Sequence, residues 1–376
     1  MRISAQRIYT LKIALWIIAG YLFVSALYSL NIHAVQYTYS FAQYNFEKQE
    51  FIQESLSVID SLKRSTPIGL ALGIMTAVIE LIILPGILRR LSFLSSLLIR
   101  TAGYIIITIP VVYYGIILEE MFLRHKTYGE VVNNPGFQIV VPRVAQLVTL
   151  ISTLSAFGIS FIRLVGKKFG QGVLLQYIFG KYRQPREEER IFMFMDLKSS
   201  TRIAEQLDHK QYHRFLNDIF HDISEPIMEY RGEIYQYVGD EVVITWPVKI
   251  GVEHERCIRS FFAICAMLER KNPQYRKRYG VEAKMKAGVH CGTVTTGEIG
   301  DLKTEIVYHG DAVNTTSRIQ EMCNGLRANL LVSGDLLQRC HLSDKFVIEG
   351  GGTLKLRGKE REMEVYSVIR KNISEY

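Results

Sequence analysis

The chain has 376 residues, a formal net charge of +8 and 48% hydrophobic residues, a length that suggests about two structural units at roughly 150 residues per domain. Residues 1–185 carry 17 Lys and Arg against 8 Asp and Glu, while residues 186–376 carry 28 against 29. The composition excludes a disordered chain, and the confinement of the basic excess to the first half argues against nucleic-acid binding, since the second half has no surplus charge with which to collect phosphates.

A membrane-spanning helix needs about 20 mainly apolar residues. Four segments qualify: about Ile13 to Leu30, Ile68 to Leu88, Thr101 to Leu118 and about Val144 to Ile162. The first follows Arg2, Arg7 and Lys12, as a secretory signal would, but no clean small-x-small cleavage site follows and the run is long for a signal core. It reads as a span. Arg89, Arg90 and Arg100 crowd the second connection, and Arg163, Lys167 and Lys168 follow the fourth span. The first connection, Asn31–Pro67, balances its charges. Positive-inside reasoning then places the N-terminus and everything after Ile162 on the cytoplasmic side of the plasma (inner) membrane. Glu80, in the middle of the second span, costs about 2.5–3.5 kcal/mol on insertion scales. A protonated or partnered carboxyl facing the bundle is the reading preferred to a sensing group.

A four-helix membrane domain (1–165) is therefore followed by a bridge (166–189), in which Val173, Leu174, Tyr177 and Ile178 fall at helical spacing before Pro185 and Glu187–Glu189. From Arg190 to about Arg370 the pattern alternates between strands and helices. Ile191–Met195 reads as a buried strand running into Asp196, and Ser199–Glu229 as helical with a break near Asp208. Glu233–Val238 and Glu241–Trp246 flank Gly239–Asp240 as a hairpin. Gly251–Lys271 reads as a helix, Glu282–Cys291 and Val294–Ile299 as strands, and Asp311–Cys323 as a helix; short strands follow near Leu330–Ser333 and Glu364–Ile369. Helices over one face of a mostly antiparallel sheet make an α+β domain. Cys257, Cys265, Cys291, Cys323 and Cys340 form no close C-x-x-C pair, so they read as reduced thiols. His209 and His213 lack the surroundings of an H-E-x-x-H site and read as a solvated helix face.

Two carboxylates stand out by position. Asp196 ends an apolar strand just before Leu197, Lys198, Ser199, Ser200 and Thr201 open a helix, and Asp240 sits at a hairpin tip. A carboxylate at a strand end holds a hard cation, while a helix N-terminus receives phosphate oxygens. Two such carboxylates together suit two metals around one phosphoryl centre.

The strings F-M-D-L-K-S-S-T (194–201), Y-V-G-D-E-V-V (237–243), G-V-H-C-G (288–292) and H-G-D-A-V-N-T-T-S-R (309–318) resemble, in this order, the catalytic domain of class III nucleotidyl cyclases, the adenylate and guanylate cyclase family, and with the spans a membrane-anchored bacterial type. The resemblance covers about Glu187–Arg370. It implies a ferredoxin-like α+β domain acting as a homodimer, which converts a nucleoside triphosphate into the 3′,5′-cyclic monophosphate and pyrophosphate with two Mg²⁺ or Mn²⁺ ions per site. The G-D-E turn is also similar to that of diguanylate cyclases, which lack the later Asn…Arg helix.

By the resemblance, Asp196 and Asp240 bind metal with the backbone carbonyl of Leu197, Asn314 orients the ribose and Arg318 stabilises charge on the α-phosphate. Ser199, Ser200 and Thr201 lie at the phosphate-receiving turn, and Lys359, with Arg357 as a substitute, holds the triphosphate. The metal pair and the Asn/Arg pair of one site come from different chains. The family's two base-selecting positions fall on Gln236 and Val307. Gln236 has both a donor and an acceptor and suits either purine, and Val307 offers contact only. ATP is the expected substrate because membrane cyclases of bacterial type in this family are mostly adenylate cyclases; GTP is the alternative, as is a membrane receptor whose cyclase-like domain is inactive.

Overall fold

The structure, a computed structural model, describes residues 10–26, 29, 58–84, 91–169, 176, 179–355 and 362–371. They fall into two compact units, one within 7–168 and one from Phe169 onward.

The first unit is helical. Its elements are α1 (Thr10–Ala26), α2 (Val58–Val78), α3 (Phe93–Arg124), α4 (Tyr128–Val132) and α5 (Pro135–Phe169). Three stretches are long and apolar enough to cross a membrane: Ser65–Ile82, Phe93–Gly115 and Thr149–Gly166. These correspond to the second, third and fourth expected spans. The first corresponds to α1, an apolar helix of shorter described length; Leu30, and 85–88 of the second span, lie outside the described residues, as do Arg2, Arg7, Arg89, Arg90 and residues 31–57 of the first connection. Gly69 and Gly73 let α2 approach α1 closely, since a Cβ on Gly73 would stand 2.9 Å from Ile18 Cα. Small residues four apart serve this purpose between membrane helices. Ile17, Tyr21, Leu72, Ala77, Tyr104, Val112 and Ala156 form the buried centre, whereas Trp16, Ile106 and Leu154 are exposed.

Beyond α2 the helix widens into a π-turn, Ile79–Ile83. Glu80, in that turn, is 1% exposed. It is partnered, as expected: it accepts from Arg100 and Tyr104 on α3, and from Ser160 Oγ (2.8 Å) and Arg163 Nη1 (2.5 Å) on α5.

The second unit contains β1 (Arg186–Leu197), α6 (Ser200–Gln206), α7 (His209–Glu229), β2 (Glu233–Val238), β3 (Glu241–Pro247), α8 (Val248–Val252), α9 (Arg256–Tyr279), β4 (Met285–Ile299) and β5 (Glu305–His309). There follow α10 (Asp311–Gly325), β6 (Leu330–Ser333), α11 (Gly334–Arg339), β7 (Phe346–Lys355) and β8 (Glu362–Arg370). The sheet runs β2-β3-β1-β4-β6-β8-β7, with β5 paired to β4. β1 pairs antiparallel with β3 and β4, and only β4–β6 is parallel among the described pairs. The order β2-β3-β1-β4, with helices after β1 and β3, is the βαββαβ arrangement of ferredoxin-like domains.

Period-two alternation divides the sheet into two faces. Ile191, Met193, Met195, Val242, Ile244, Ala287 and Val289 belong to the larger core, together with Phe215 and Ile219 of α7 and Phe261 and Ile264 of α9. Phe192, Phe194, Val243 and Val294 face the other way and are packed by Ala312 of α10. The expected helical break is real: Asp208 caps α7 by accepting from Gln211 N at 2.8 Å. His209 and His213 are both exposed. The helix expected from Gly251 starts at Arg256, because His254 and Glu255 adopt left-handed backbone (φ 54° and 56°) and break it from α8. The two strands expected within 282–299 are one, β4. β5, β7 and α11 add to the expected elements. Of the bridge, Val173, Leu174, Tyr177 and Ile178 lie outside the described residues.

Candidate active site

The hairpin between β2 and β3 turns at Gly239, whose φ of +62° favours a residue without Cβ, and Asp240 follows it. In the register of β1 with β3, Asp196 stands opposite Glu241. Chain order alone separates Asp196 and Asp240 by 44 residues; the ladder puts them at one end of adjacent strands. Asp240 Oδ2 is buried without a hydrogen-bond partner among the described residues. Burial pushes the Asp240 carboxyl above its ordinary range, and the facing Asp196 carboxyl pushes it further, while the Ser200 hydroxyl opposes this by hydrogen bonding. Glu241 is raised to about 7 by burial and by Asp196, Asp240 and Glu321, against the pull of Lys286. Several carboxyls are crowded where water is partly excluded, and such a cluster is relieved by a cation.

The oxygen donors that the resemblance assigns here are the two aspartates and the carbonyl of Leu197, which follows Asp196 in the chain. No cluster of three or more His, Cys, Asp or Glu side chains in metal-holding geometry occurs among the described residues. Hard oxygen donors, one of them an orphaned carboxylate oxygen, fit Mg²⁺ or Mn²⁺ rather than a soft metal.

Asp196 also has partners that its motif did not announce. Lys286, opposite it on β4, places Nζ 3.1 Å from Asp196 Oδ2 and donates to Asn324 Oδ1 at 3.1 Å. Gln320 Nε2 of α10 donates to the same Asp196 oxygen at 3.2 Å. Lys286 is 8% exposed. The sequence signal for it is a lysine inside the apolar strand Met285–Cys291, a position that needs a buried partner.

Asn314 and Arg318 lie one turn apart on α10, with Asn314 exposed and Arg318 half-buried. Neither side chain has a hydrogen bond or ion pair among the described residues. α10 sits close on β4 because Gly288 and Gly292 of the G-V-H-C-G string lie under it, and a Cβ on Gly292 would stand 2.9 Å from Ala312 Cβ. Ser200 reaches Asp240; Ser199, with φ +58°, and Thr201 are exposed at the start of α6. Gln236 is exposed on β2 opposite Val243, and Val307 is half-buried on β5 opposite Gly297. Arg357 and Lys359 lie outside the described residues.

Residues 183–370 match the family model described as the adenylate and guanylate cyclase catalytic domain. The chain belongs to this cyclase family. Adenylate cyclase 2 of Rhizobium meliloti (strain 1021) is 35% identical to it over 226 residues, 60% of this chain and 62% of that protein. Adenylate cyclase 1 of the same strain is 30% identical over 186 residues, 48% of this chain and 28% of that protein. The chain thus spans less than two thirds of the length of either relative. The crystal structure of the adenylyl cyclase CyaB from P. aeruginosa is 20% identical, with a TM-score of 0.45 over 50% of this chain and 98% of that chain.

Proposed function

We propose that this member of the cyclase family is an integral membrane adenylate cyclase, converting ATP to 3′,5′-cyclic AMP and pyrophosphate on the cytoplasmic side of the plasma membrane. The observation that carries the reading is the Asp196–Asp240 pair at one sheet end, with an orphaned carboxylate oxygen, inside the stretch that matches the family. The helices apolar enough to span a bilayer support the membrane placement, with α1 proposed as the first of four spans. Two relatives named adenylate cyclases support ATP over GTP. Because Gln236 accommodates either purine, cyclic GMP from GTP remains the second reading.

In the reaction the ribose 3′-oxygen forms a bond to the α-phosphorus, the bond from that phosphorus to the bridging oxygen of the β-phosphate breaks, and the hydroxyl proton leaves to solvent. Asp196, Asp240 and the Leu197 carbonyl would hold two Mg²⁺ or Mn²⁺ ions. When bound, these supply positive charge to the phosphates and favour ionisation of the 3′-hydroxyl. Asp240 presents its orphaned oxygen to that position, and Gln320 and Lys286 keep the Asp196 carboxylate from rotating. Arg318, carried on the middle of α10, stabilises charge developing on the α-phosphate. Asn314 aligns the ribose, and Arg357 and Lys359 serve the triphosphate. The Asn314–Arg318 pair has no side-chain partner among the described residues, which favours a homodimer whose two sites each draw on both copies.

The test incubates the purified chain with Mn²⁺ and either ATP or GTP and identifies the product. Cyclic AMP from ATP alone is expected; cyclic GMP alone transfers the assignment to GTP. No product from either, with the dimer confirmed, favours a receptor with an inactive nucleotide-binding domain. Mixing Asp196→Ala with Arg318→Ala chains should restore one intact site per mixed dimer, and no recovery despite co-assembly would remove the shared site.

A further inference from the structure

The segment leading into β1 is built into the cyclase unit rather than resting beside it. Tyr182, 2% exposed, accepts a backbone hydrogen bond from Glu298 at 3.0 Å. Its hydroxyl donates to Glu188 at 3.2 Å. Glu188 in turn accepts from Arg190 Nη1 at 3.2 Å. Arg190, 3% exposed, also donates to Glu233 and to Thr245 Oγ1 (3.0 Å). Its guanidinium carbon lies 4.9 Å from the centre of the Tyr308 ring, and Tyr308 meets the Tyr235 ring at 4.9 Å.

The last two members of this chain of contacts adjoin the base-selecting positions. Tyr235 is the extra residue of a β-bulge between Ile234 and Gln236, and a bulge re-aims the side chain beside it. Tyr308 directly follows Val307. Independently, Pro185 lies against Gly297, where a Cβ would stand 3.4 Å from its Cα and Cγ, and Gly297 is the cross-strand partner of Val307. A buried arginine with two carboxylates is costly to assemble, yet one apolar residue would seal the same sheet.

We infer that this leading segment sets nucleotide-base selection, with Arg190, Tyr308 and Tyr235 acting as positioning residues that fix β2 and β5, and so aim Gln236 and Val307 at the purine. The inference rests on the cyclase reading for the roles of Gln236 and Val307. It leaves the metal pair and the phosphate groups untouched, so loss of the brace changes which base is preferred and spares the chemical step.

The experiment uses the full chain in detergent with Mn²⁺, comparing wild type, Tyr308→Leu, Tyr308→Phe and Glu188→Gln. ATP and GTP are each measured two ways: KM and kcat for cyclic product, and competition against a fluorescent ribose-labelled ATP analogue. Tyr308→Leu should shift the ATP-to-GTP ratio of KM and of competition by about fivefold, with kcat for the preferred nucleotide within about twofold. Tyr308→Phe, which keeps the ring, should restore the wild-type ratio. Should Tyr308→Leu not fold, Glu188→Gln, which keeps the shape and removes the charge holding Arg190, should shift the ratio in the same direction. An unaltered ratio in the folded variants, or an equal loss of kcat for both nucleotides, overturns the inference. Absence of product from the wild type with competition still shifted by Tyr308→Leu or Glu188→Gln overturns the cyclase activity alone; no nucleotide binding by the wild type overturns both.

Discussion

Gly288 gives the sharpest link between packing and chemistry. A Cβ there would lie 2.4 Å from Gln320 N, 2.8 Å from Gln320 Cα and 2.9 Å from Ile319 C. All three are backbone atoms of α10, so no flexible side-chain end can yield. Carbon contacts are comfortable from about 3.5 Å, and Gly288→Ala therefore displaces α10 by about 1 Å. Overpacking of this kind costs about 1–3 kcal/mol. At about 2–4 °C of melting temperature per kcal/mol for a unit of this size, the loss is roughly 2–12 °C. α10 carries Asn314, Arg318 and the Gln320 amide that holds Asp196, and a 1 Å misplacement of positioning groups lowers turnover by up to about 100-fold. Thermal unfolding followed through the buried Trp246, alongside cyclase turnover with Mn²⁺, reads both effects. Gly325→Ala, in the same helix but with no heavy atom within 4 Å of the new Cβ, should stay neutral or gain up to about 1 kcal/mol. If Gly288→Ala melts within about 1 °C of wild type and keeps its turnover, the reasoning that ties the helix to the site through this glycine is refuted.

Asp240→Asn should abolish metal-dependent turnover and leave the melting temperature without metal unchanged or higher, because it removes the repulsion facing Asp196; a drop in melting temperature would contradict that account. Glu80→Gln leaves Arg100 and Arg163 facing each other without their carboxylate, and breaking a buried pair in this way costs about 3–5 kcal/mol, to be read as loss of thermal stability in detergent. Burial alone would raise the Glu255 carboxyl, but hydrogen bonds from Ser343 N and Arg259, and from the Ser343 hydroxyl, hold it below the usual value. Its contribution to stability is therefore complete above the unfolded-state pKa and lost as pH falls through the lower folded-state value. Glu255→Gln should flatten the acid limb of melting temperature against pH, and an unchanged limb would show that Glu255 does not carry it.

What was legible in the sequence was local or motif-borne. The turn at Gly239–Asp240 and the Asp208 cap are set by neighbours a few residues away, and four strings in a specific order single out Asp196, Asp240, Asn314 and Arg318 as candidates. What was hidden depends on partners far along the chain. β1 begins at Arg186, five residues before the apolar run, because Arg186–Arg190 pair with Gly292–Thr296, and the Glu187–Glu189 charges mask that ladder. β4 read as two strands because Gly292 looks like a break; its glycine answers instead to the approach of Ala312. Lys286 and Gln320 meet Asp196 only through strand register and helix packing, across 90 and 124 residues of chain.

These distant partners also alter the charge argument. The half of the chain that matches the cyclase family is nearly neutral in sum, but the sheet end is not neutral locally: Asp196, Asp240 and Glu321 all bear on Glu241, and Lys286 is a cation set against Asp196. A polyphosphate approaching such a cluster meets like charge, and neither the net charge of the unit nor one ammonium offsets it. Arg318 is half-buried and has no side-chain partner among the described residues, which suits the proposed role toward anions at a second copy's site. In the proposed homodimer, divalent cations on the aspartates and a guanidinium from the partner would together supply the positive charge that the sheet end of one chain lacks. The same electrostatics that make the isolated site repel a nucleotide therefore argue for activity that depends on both metal and dimer.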